Sequence, residues 1–225
     1  MDKARLRKIL IILGIILIGI VLYRLYLEFH KDISLLLDPK ASRELLLKEV
    51  RSHGIRTAGL LIALTVLMCA LPGLPTSVIG ILIGVCYGPL IGSLMNIAGN
   101  AGGNLLSMTV LKRLKIMSHE HKDNQWVKRI SQMKHPKIGI MLAYMVPVIP
   151  SFIVNVTADT LRLPLKEIFL SVLIGVLPSS ILYAFGGEAL FHGDTKTAII
   201  LVASVIVLVL LVRFIKNKHQ HQLEK

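Results

Sequence analysis

Residues 70–89 read ALPGLPTSVIGILIGVCYGP, and residues 144–164 read YMVPVIPSFIVNVTADTLRLP. Set one under the other, Pro72, Pro75 and Pro89 fall on Pro147, Pro150 and Pro164, each at an offset of 75 residues. Three pairs of prolines, six of the nine, on one common offset mark a duplicated unit. Each copy holds an apolar helix, a Pro-x-x-Pro break, a short apolar segment, a second break and a full-length apolar helix. The short segment is about a dozen residues and would rise about 18 Å as a helix. A bilayer core is roughly 30 Å thick. The spacing therefore predicts a re-entrant hairpin that enters, turns at Pro-x-x-Pro and leaves on the same side, so that only the following helix crosses.

A copy with one true crossing delivers the chain to the opposite face, so the second copy is inverted. Inverted repeats with broken helices meeting near mid-membrane are a transporter architecture. Irregular backbone at membrane depth is tolerated only when buried in protein or lining a wet cavity. The two Pro-x-x-Pro turns, Pro72 with Pro75 and Pro147 with Pro150, are expected to face each other.

Composition agrees with a lipid-solvated chain. Of 225 residues, 54% are apolar and 17% charged, and the mean hydropathy is +0.69. Soluble domains carry roughly 25% charged residues. Low charge, aperiodic glycine and two cysteines exclude disordered, collagen-like and disulfide-rich classes. Cys69 and Cys86 lie in apolar runs and read as buried thiols. The net charge of +13 would suggest nucleic acid in a soluble protein, but here the charge sits between apolar runs and aromatics are only 5%. That distribution fits loops facing an anionic leaflet, and no nucleic-acid partner is expected.

Working outward, the organisation reads as follows. Residues 1–30 are a retained anchor helix: Lys3, Arg5, Arg7 and Lys8 precede the apolar run 9–27, and no small-x-small cleavage site follows. Residues 31–54 hold a short amphipathic segment, 42–53, read either as a surface helix or as an ordinary solvated connection. Residues 55–190 are the transport core, with repeat 1 at 55–111, a basic loop at 112–137 and repeat 2 at 138–190. Residues 191–225 supply a last transmembrane helix and a basic tail. The fold class is an all-α polytopic membrane protein. With the N-terminus cytoplasmic, the cytoplasmic segments hold 18 of 26 Lys and Arg, and the external loop near Glu188 holds one. The loop 24–56 dissents with seven, offset by five acidic residues. The bias in short loops sets the orientation, with both termini cytoplasmic and the cell membrane as the expected location.

Several residues carry candidate roles. Gly80, Gly84, Gly88 and Gly92 recur every fourth position, which lets backbones approach closely in a membrane. The Gly88-Pro89 break shares that ridge between the hairpin and the next helix. The stretch 99–104, GNAGGN, lacks the Lys-Ser/Thr ending of a phosphate loop and reads as helix packing, with Asn100 and Asn104 facing a cavity. Asp159 lies in the second hairpin. A lone charge at bilayer centre costs about 2.5–3.5 kcal/mol on insertion scales, so it either serves transport or pairs with Arg162 at the interface. Asn155 and Thr157 add uncharged polar groups to the same hairpin. His119, His121, His135, His219 and His221 read as solvated surface, and no metal or cofactor is expected. Gly-x-Ser-x-Gly, His-Glu-x-x-His and Walker motifs are absent, which favours transport over an enzyme with catalytic residues.

These residues resemble the DedA / SNARE-associated Golgi protein superfamily, which carries the VTT domain. The matching pattern is Pro75, Gly84, Gly88-Pro89 and Gly99, then Pro147, Pro150, Asn155, Phe169, Gly175, Pro178, Tyr183 and Gly187, over residues 70–187. The resemblance implies facing re-entrant hairpins and transbilayer movement of lipid. Its eukaryotic members scramble phospholipids, and its bacterial members are linked to undecaprenyl-phosphate recycling and proton-motive-force-dependent envelope homeostasis. Two departures matter. The family often places Arg where this chain has Tyr144, and the DedA branch carries an acid where this chain has Thr76 and Ser77. The chain is closer to the shorter VTT branch.

The expected function is a membrane lipid transporter, a flippase or scramblase, with proton coupling left open. The lipid pathway is expected along Pro72, Pro75, Thr76, Pro147, Pro150, Asn155, Asp159 and Arg162. Close packing is expected at Gly80, Gly84, Gly88, Gly92, Gly175 and Gly187. Membrane lipids are the expected partners, and assembly into a homo-oligomer is left open. Alternatives are a scaffold that recruits a partner through the basic loop, and an intramembrane lipid-modifying enzyme.

Overall fold

The prolines set where the helices end. A residue that precedes proline is pushed out of the helical region. Leu71, before Pro72, is extended (φ −99°, ψ 137°) and ends one helix. Val146, before Pro147, is extended likewise (φ −90°, ψ 109°) and ends its counterpart. The later prolines start helices, because a fixed φ suits the position that leads into one. Pro150 (φ −60°, ψ 125°) opens one helix and Pro164 (φ −67°, ψ 140°) opens another.

A computed structural model describes residues 3–36, 43–71, 74, 76–114, 125–133, 135–146 and 149–194, with single positions beyond. Every regular element among them is an α-helix. In chain order these are α1 (Lys3–Leu36), α2 (Arg43–Val50), α3 (Ile55–Ala70), α4 (Ser77–Leu114), α5 (Gln125–Ser131), α6 (Pro136–Met145), α7 (Ser151–Thr160) and α8 (Leu165–His192). The middle of the basic loop, 115–124, with His119 and His121, and most of the last apolar run and the tail, with His219 and His221, lie outside the described residues. Among the described residues, three stretches are long and apolar enough to cross a membrane: Ile12–Asp32, Ser77–Lys112 and Leu165–His192. The protein is therefore an all-α, multi-pass membrane protein. α8, at 28 residues, rises about 42 Å and α7, at 10 residues, about 15 Å. The first is long enough to span a bilayer core, and the second is about half that thickness.

α4 is two arms. Gly88 interrupts it at φ 74°, ψ 177°, a region open only to glycine. The arms 77–87 and 89–114 fold back on each other there. Asn96 Nδ2 donates to the Gly80 carbonyl at 3.0 Å, whereas 16 residues of straight helix would separate them by about 24 Å. A Cβ built on Gly92 would lie 3.1 Å from the Gly84 Cα.

The two copies pack crosswise. The first arm of α4 lies on α8, and α7 lies on the second arm of α4. Lipid tails are as apolar as leucine, so close van der Waals approach, not water exclusion, holds such helices together. Small residues allow it: a Cβ on Gly84 would fall 2.7 Å from the Ala184 Cα, and one on Gly187 would fall 3.1 Å from the Ile81 carbonyl carbon. The Gly88 turn and the Leu163 turn sit at opposite ends. Near Gly88, the Tyr87 hydroxyl donates to the Gly54 carbonyl at 3.1 Å, and Arg51 pairs with Glu188. Near Leu163, its carbonyl accepts from the Lys112 ammonium, and Lys137 pairs with Glu167 at 2.5 Å. α1 is clasped to the start of α3 by two polar rungs. Thr57 donates to Glu28 at 2.9 Å, and His53 meets Asp32 at 2.6 Å with both side chains largely buried.

Candidate functional site

The breaks leave a cavity of about 310 Å³ where the start of α4, the start of α7, the ends of α3 and α6, and α8 come together. Its polar lining comes from Thr76 and Ser77 on α4's approach, Ser151 on α7, Tyr144 on α6, and Ser179 and Tyr183 on α8, with Cys69 and Asn100 behind. Met68, Leu74, Val146, Ile149, Phe152 and Val176 supply apolar walls. No Lys, Arg, His, Asp or Glu is among the described lining residues. Its described lining is thus polar without fixed charge. α7 begins at Pro150 with no side-chain cap, so the first amides of that helix turn a partial positive charge toward the space its start lines.

Behind the cavity runs a hydrogen-bonded line of buried amides. Asn96, Asn100 and Asn104 share one face of α4, and all are at most 7% exposed. Asn96 Nδ2 reaches the carbonyls of Gly80 at 3.0 Å and Ser180 at 3.3 Å. Asn100 Nδ2 donates to the Asn96 carbonyl at 3.0 Å and to Ser180 Oγ at 3.4 Å, and its Oδ1 accepts from the Cys69 thiol at 3.3 Å. Asn104 Nδ2 donates to the Asn100 carbonyl at 2.8 Å. Its Oδ1 accepts from Asn155 Nδ2 at 3.0 Å, and Asn155 Oδ1 accepts from the Tyr144 hydroxyl. One chain of bonds therefore joins α3, both arms of α4, α6, α7 and α8. Unpaired polar groups at this depth are expensive, which makes the network a unit rather than a set of independent contacts.

The structure places the sequence candidates unevenly. Thr76 and Pro150 line the cavity. Asn155 is fully buried one layer behind it, holding Tyr144. Asp159 and Arg162 are not among the described lining residues. Asp159 sits half-buried near the C-terminal end of α7, outside the three spans, where burial pushes its carboxyl up and the Lys112 ammonium offsets part of that rise. The cation that acts on Asp159 is therefore Lys112; Arg162 is exposed and takes a left-handed φ of 54° in the turn. Pro72, Pro75 and Pro147 lie outside the described residues. Gly80, Gly84, Gly92 and Gly187 make close approaches, and a Cβ on Gly175 would come within 2.7 Å of the Tyr144 Cβ. Gly88 differs from the packing expectation. A Cβ there would meet nothing within 4 Å, and its positive φ is what requires glycine.

Sequence reasoning took Tyr144 only as a missing arginine, read Cys69 only as a buried thiol, which it is, and did not single out Asn96 or Ser180. The i, i+4, i+8 spacing of Asn96, Asn100 and Asn104 is the signal that could have found the amide line, since it sets three polar groups on one face of an apolar helix.

A family model for the VTT domain matches residues 71–189, just over half of the chain. Transmembrane protein 41B of Xenopus tropicalis is 28% identical over 108 residues, 48% of this chain and 39% of that protein. Transmembrane protein 41B of Xenopus laevis matches to the same extent. The match thus spans well under half the length of these curated relatives. No solved structure matches.

Proposed function

As the chain belongs to the VTT-domain family, we propose that it carries lipid head groups across the bilayer, as a flippase or scramblase. The observation that carries this reading is the uncharged polar cavity of about 310 Å³ bounded by broken helices inside a bundle of apolar ones. The hydroxyls of Thr76, Ser77 and Ser151 make no hydrogen bond to another described residue, and they stand where two helices begin. Hydroxyl donors and helix N-termini together suit a phosphate. Lipid tails stay in the bilayer while the head group passes between the breaks, so the cavity need hold only the polar part.

The test is direct. Purified protein in liposomes accelerates transbilayer movement of an acyl-labelled phospholipid above the rate in empty liposomes. No acceleration across ethanolamine, glycerol and choline lipids sinks the reading. Orientation is tested separately. In the proposed topology the Lys112–Leu163 end faces the cytoplasm and the Gly88–Glu188 end faces outward, in the cell membrane. Ser118→Cys is then labelled only from the cytoplasmic side and Gly193→Cys only from outside; labelling of both from one side overturns the inverted arrangement.

A further inference from the structure

The amide line has a direction, and backbone carbonyls fix it. A main-chain carbonyl can only accept. Asn104 meets the Asn100 carbonyl through Nδ2, which leaves Oδ1 as the atom turned toward Asn155. Asn155 must answer with Nδ2, which turns its own Oδ1 toward Tyr144. The Tyr144 hydroxyl is left to donate its single proton inward. Asn100 is fixed in the same way: Nδ2 serves the Asn96 carbonyl and Ser180 Oγ, and Oδ1 faces Cys69. Ser179 donates its hydroxyl proton to the Val176 carbonyl at 3.1 Å. Tyr144, Asn100 and Ser179 all line the cavity. Each has its hydrogens committed inside the protein, and each keeps an oxygen lone pair. Toward a ligand Tyr144 and Asn100 can only accept, while the Ser179 hydroxyl can rotate and do either.

The cavity therefore offers two chemistries. The hydroxyls of Thr76, Ser77, Ser151 and Tyr183 make no hydrogen bond to another described residue and can donate; the Tyr144 and Asn100 oxygens cannot. A phosphate matches the first set, because it only accepts. The second set needs a group that brings its own hydrogens. Resting on the lipid-transport reading above, we propose that the cavity selects phospholipids whose head group carries N–H or O–H donors beyond the phosphate, over head groups that carry none, with Tyr144 as the selecting residue. An ammonium or a hydroxyl fills the open lone pairs. A trimethylammonium offers only carbon-bound hydrogens and leaves those acceptors without a partner on the ligand, the situation in which a hydrogen-bonding site rejects an analogue most strongly.

The test uses the full chain in liposomes and four acyl-labelled lipids that differ only in the head group: ethanolamine, N,N-dimethylethanolamine, choline and glycerol. The expected transbilayer rates fall with each loss of donors, with ethanolamine and glycerol faster than choline by about tenfold, the worth of one such hydrogen bond. Tyr144→Phe removes the open lone pair and keeps the ring; it is expected to bring the ethanolamine-to-choline rate ratio toward one. Where that variant does not fold, the wild-type methylation series still decides. Equal rates for ethanolamine and choline lipids, with transport intact, overturn the selectivity and leave the transport reading standing. An unchanged ratio in Tyr144→Phe removes Tyr144 as the selecting residue. Movement of none of the four lipids ends the transport reading, and the selectivity with it.

Discussion

The two hairpins share their prolines and almost nothing else. At the common offset of 75, Gly80 corresponds to Asn155, Gly84 to Asp159 and Gly88 to Leu163. The surfaces they meet correspond too: Gly187 on α8 stands where α4 has Lys112. The first hairpin is held by backbone set against backbone, Gly84 on Ala184 and Gly187 on Ile81. The second is held by polar side chains, Asn155 to Asn104 at 3.0 Å and the Lys112 ammonium to the Leu163 carbonyl. Even the turns differ, with Gly88 at φ 74° in one and Arg162 at φ 54° in the other. Close packing without side chains has a single arrangement and resists deformation. Hydrogen bonds and a charge near an interface can be remade. The pair therefore reads as one fixed half and one adjustable half around a common cavity.

The largest effect that would break this contrast is expected at Gly84. A methyl group there has backbone, not a flexible side chain, in its way. Overpacking typically costs about 1–3 kcal/mol and more where nothing can yield. Gly84→Leu should abolish a monodisperse folded species in detergent size-exclusion chromatography, and Gly84→Ala should lower the thermal midpoint sharply. Asp159→Ala, the matched position of the adjustable half, should remain folded. A Gly84→Ala protein as stable as wild type would remove the distinction between the halves.

Next in size is the hub of the second hairpin. Asn155→Ala leaves the Tyr144 hydroxyl and Asn104 Oδ1 without partners. Each unpaired buried group costs about 1–3 kcal/mol. Tyr144→Phe combined with Asn155→Ala should be less damaging than the two losses added, because one orphan disappears with the other. Chemical denaturation of the single and double variants gives the coupling, expected at about 1 kcal/mol. Strict additivity would mean that the amide line is not a unit.

The contrast also shows what was legible in the sequence. Proline acts on its own neighbours, so the breaks at 72–75, 147–150 and 164 could be read from spacing alone, and so could the all-helical membrane class. The glycine ridge was legible as smallness, but not as two different jobs: Gly84 serves approach and Gly88 serves φ. The α4 face of the amide line was within reach of the sequence through its i, i+4, i+8 spacing, but its partners were not, because the bonds to them join residues 51, 80 and 84 positions apart. Asp159 shows the same limit. Its nearest cation in sequence is Arg162, but the turn that follows α7 leaves that residue exposed and Lys112 from α4 acts on it instead.

The turns themselves give a smaller effect. Gly88→Ala forces a side chain into a conformation that costs about 1–3 kcal/mol. Arg162→Gly relieves a left-handed residue but loosens the unfolded chain, two terms of similar size and opposite sign. Its stability should change by less than about 1 kcal/mol. Parallel denaturation of both variants measures the difference. Equal losses would imply that the two turns are equally constrained.

The smallest effect is expected at Asp159, and its sign separates the two forces acting on the adjustable half. Burial raises the carboxyl and Lys112 lowers it, with burial the larger. A carboxyl so raised binds its proton more tightly in the folded state than in the unfolded chain. Its contribution to stability is full below the ordinary aspartate value of about 4, and it is lost as pH rises through the folded value. Asp159→Asn keeps the size and cannot ionise. Its thermal midpoint should match wild type at acid pH and stand above it near neutrality, by a modest margin because the group is half-exposed. A wild type that gains on the variant as pH rises would mean that the Lys112 pairing outweighs burial, so that an ion pair holds the hairpin. The same two proteins sharpen the transport reading. If wild-type lipid movement depends on pH and Asp159→Asn movement does not, the carboxyl exchanges a proton during transport. Full activity of the variant with an unchanged pH profile leaves Asp159 as a partner of Lys112 at the mouth of the second hairpin, and places whatever titrates during transport elsewhere.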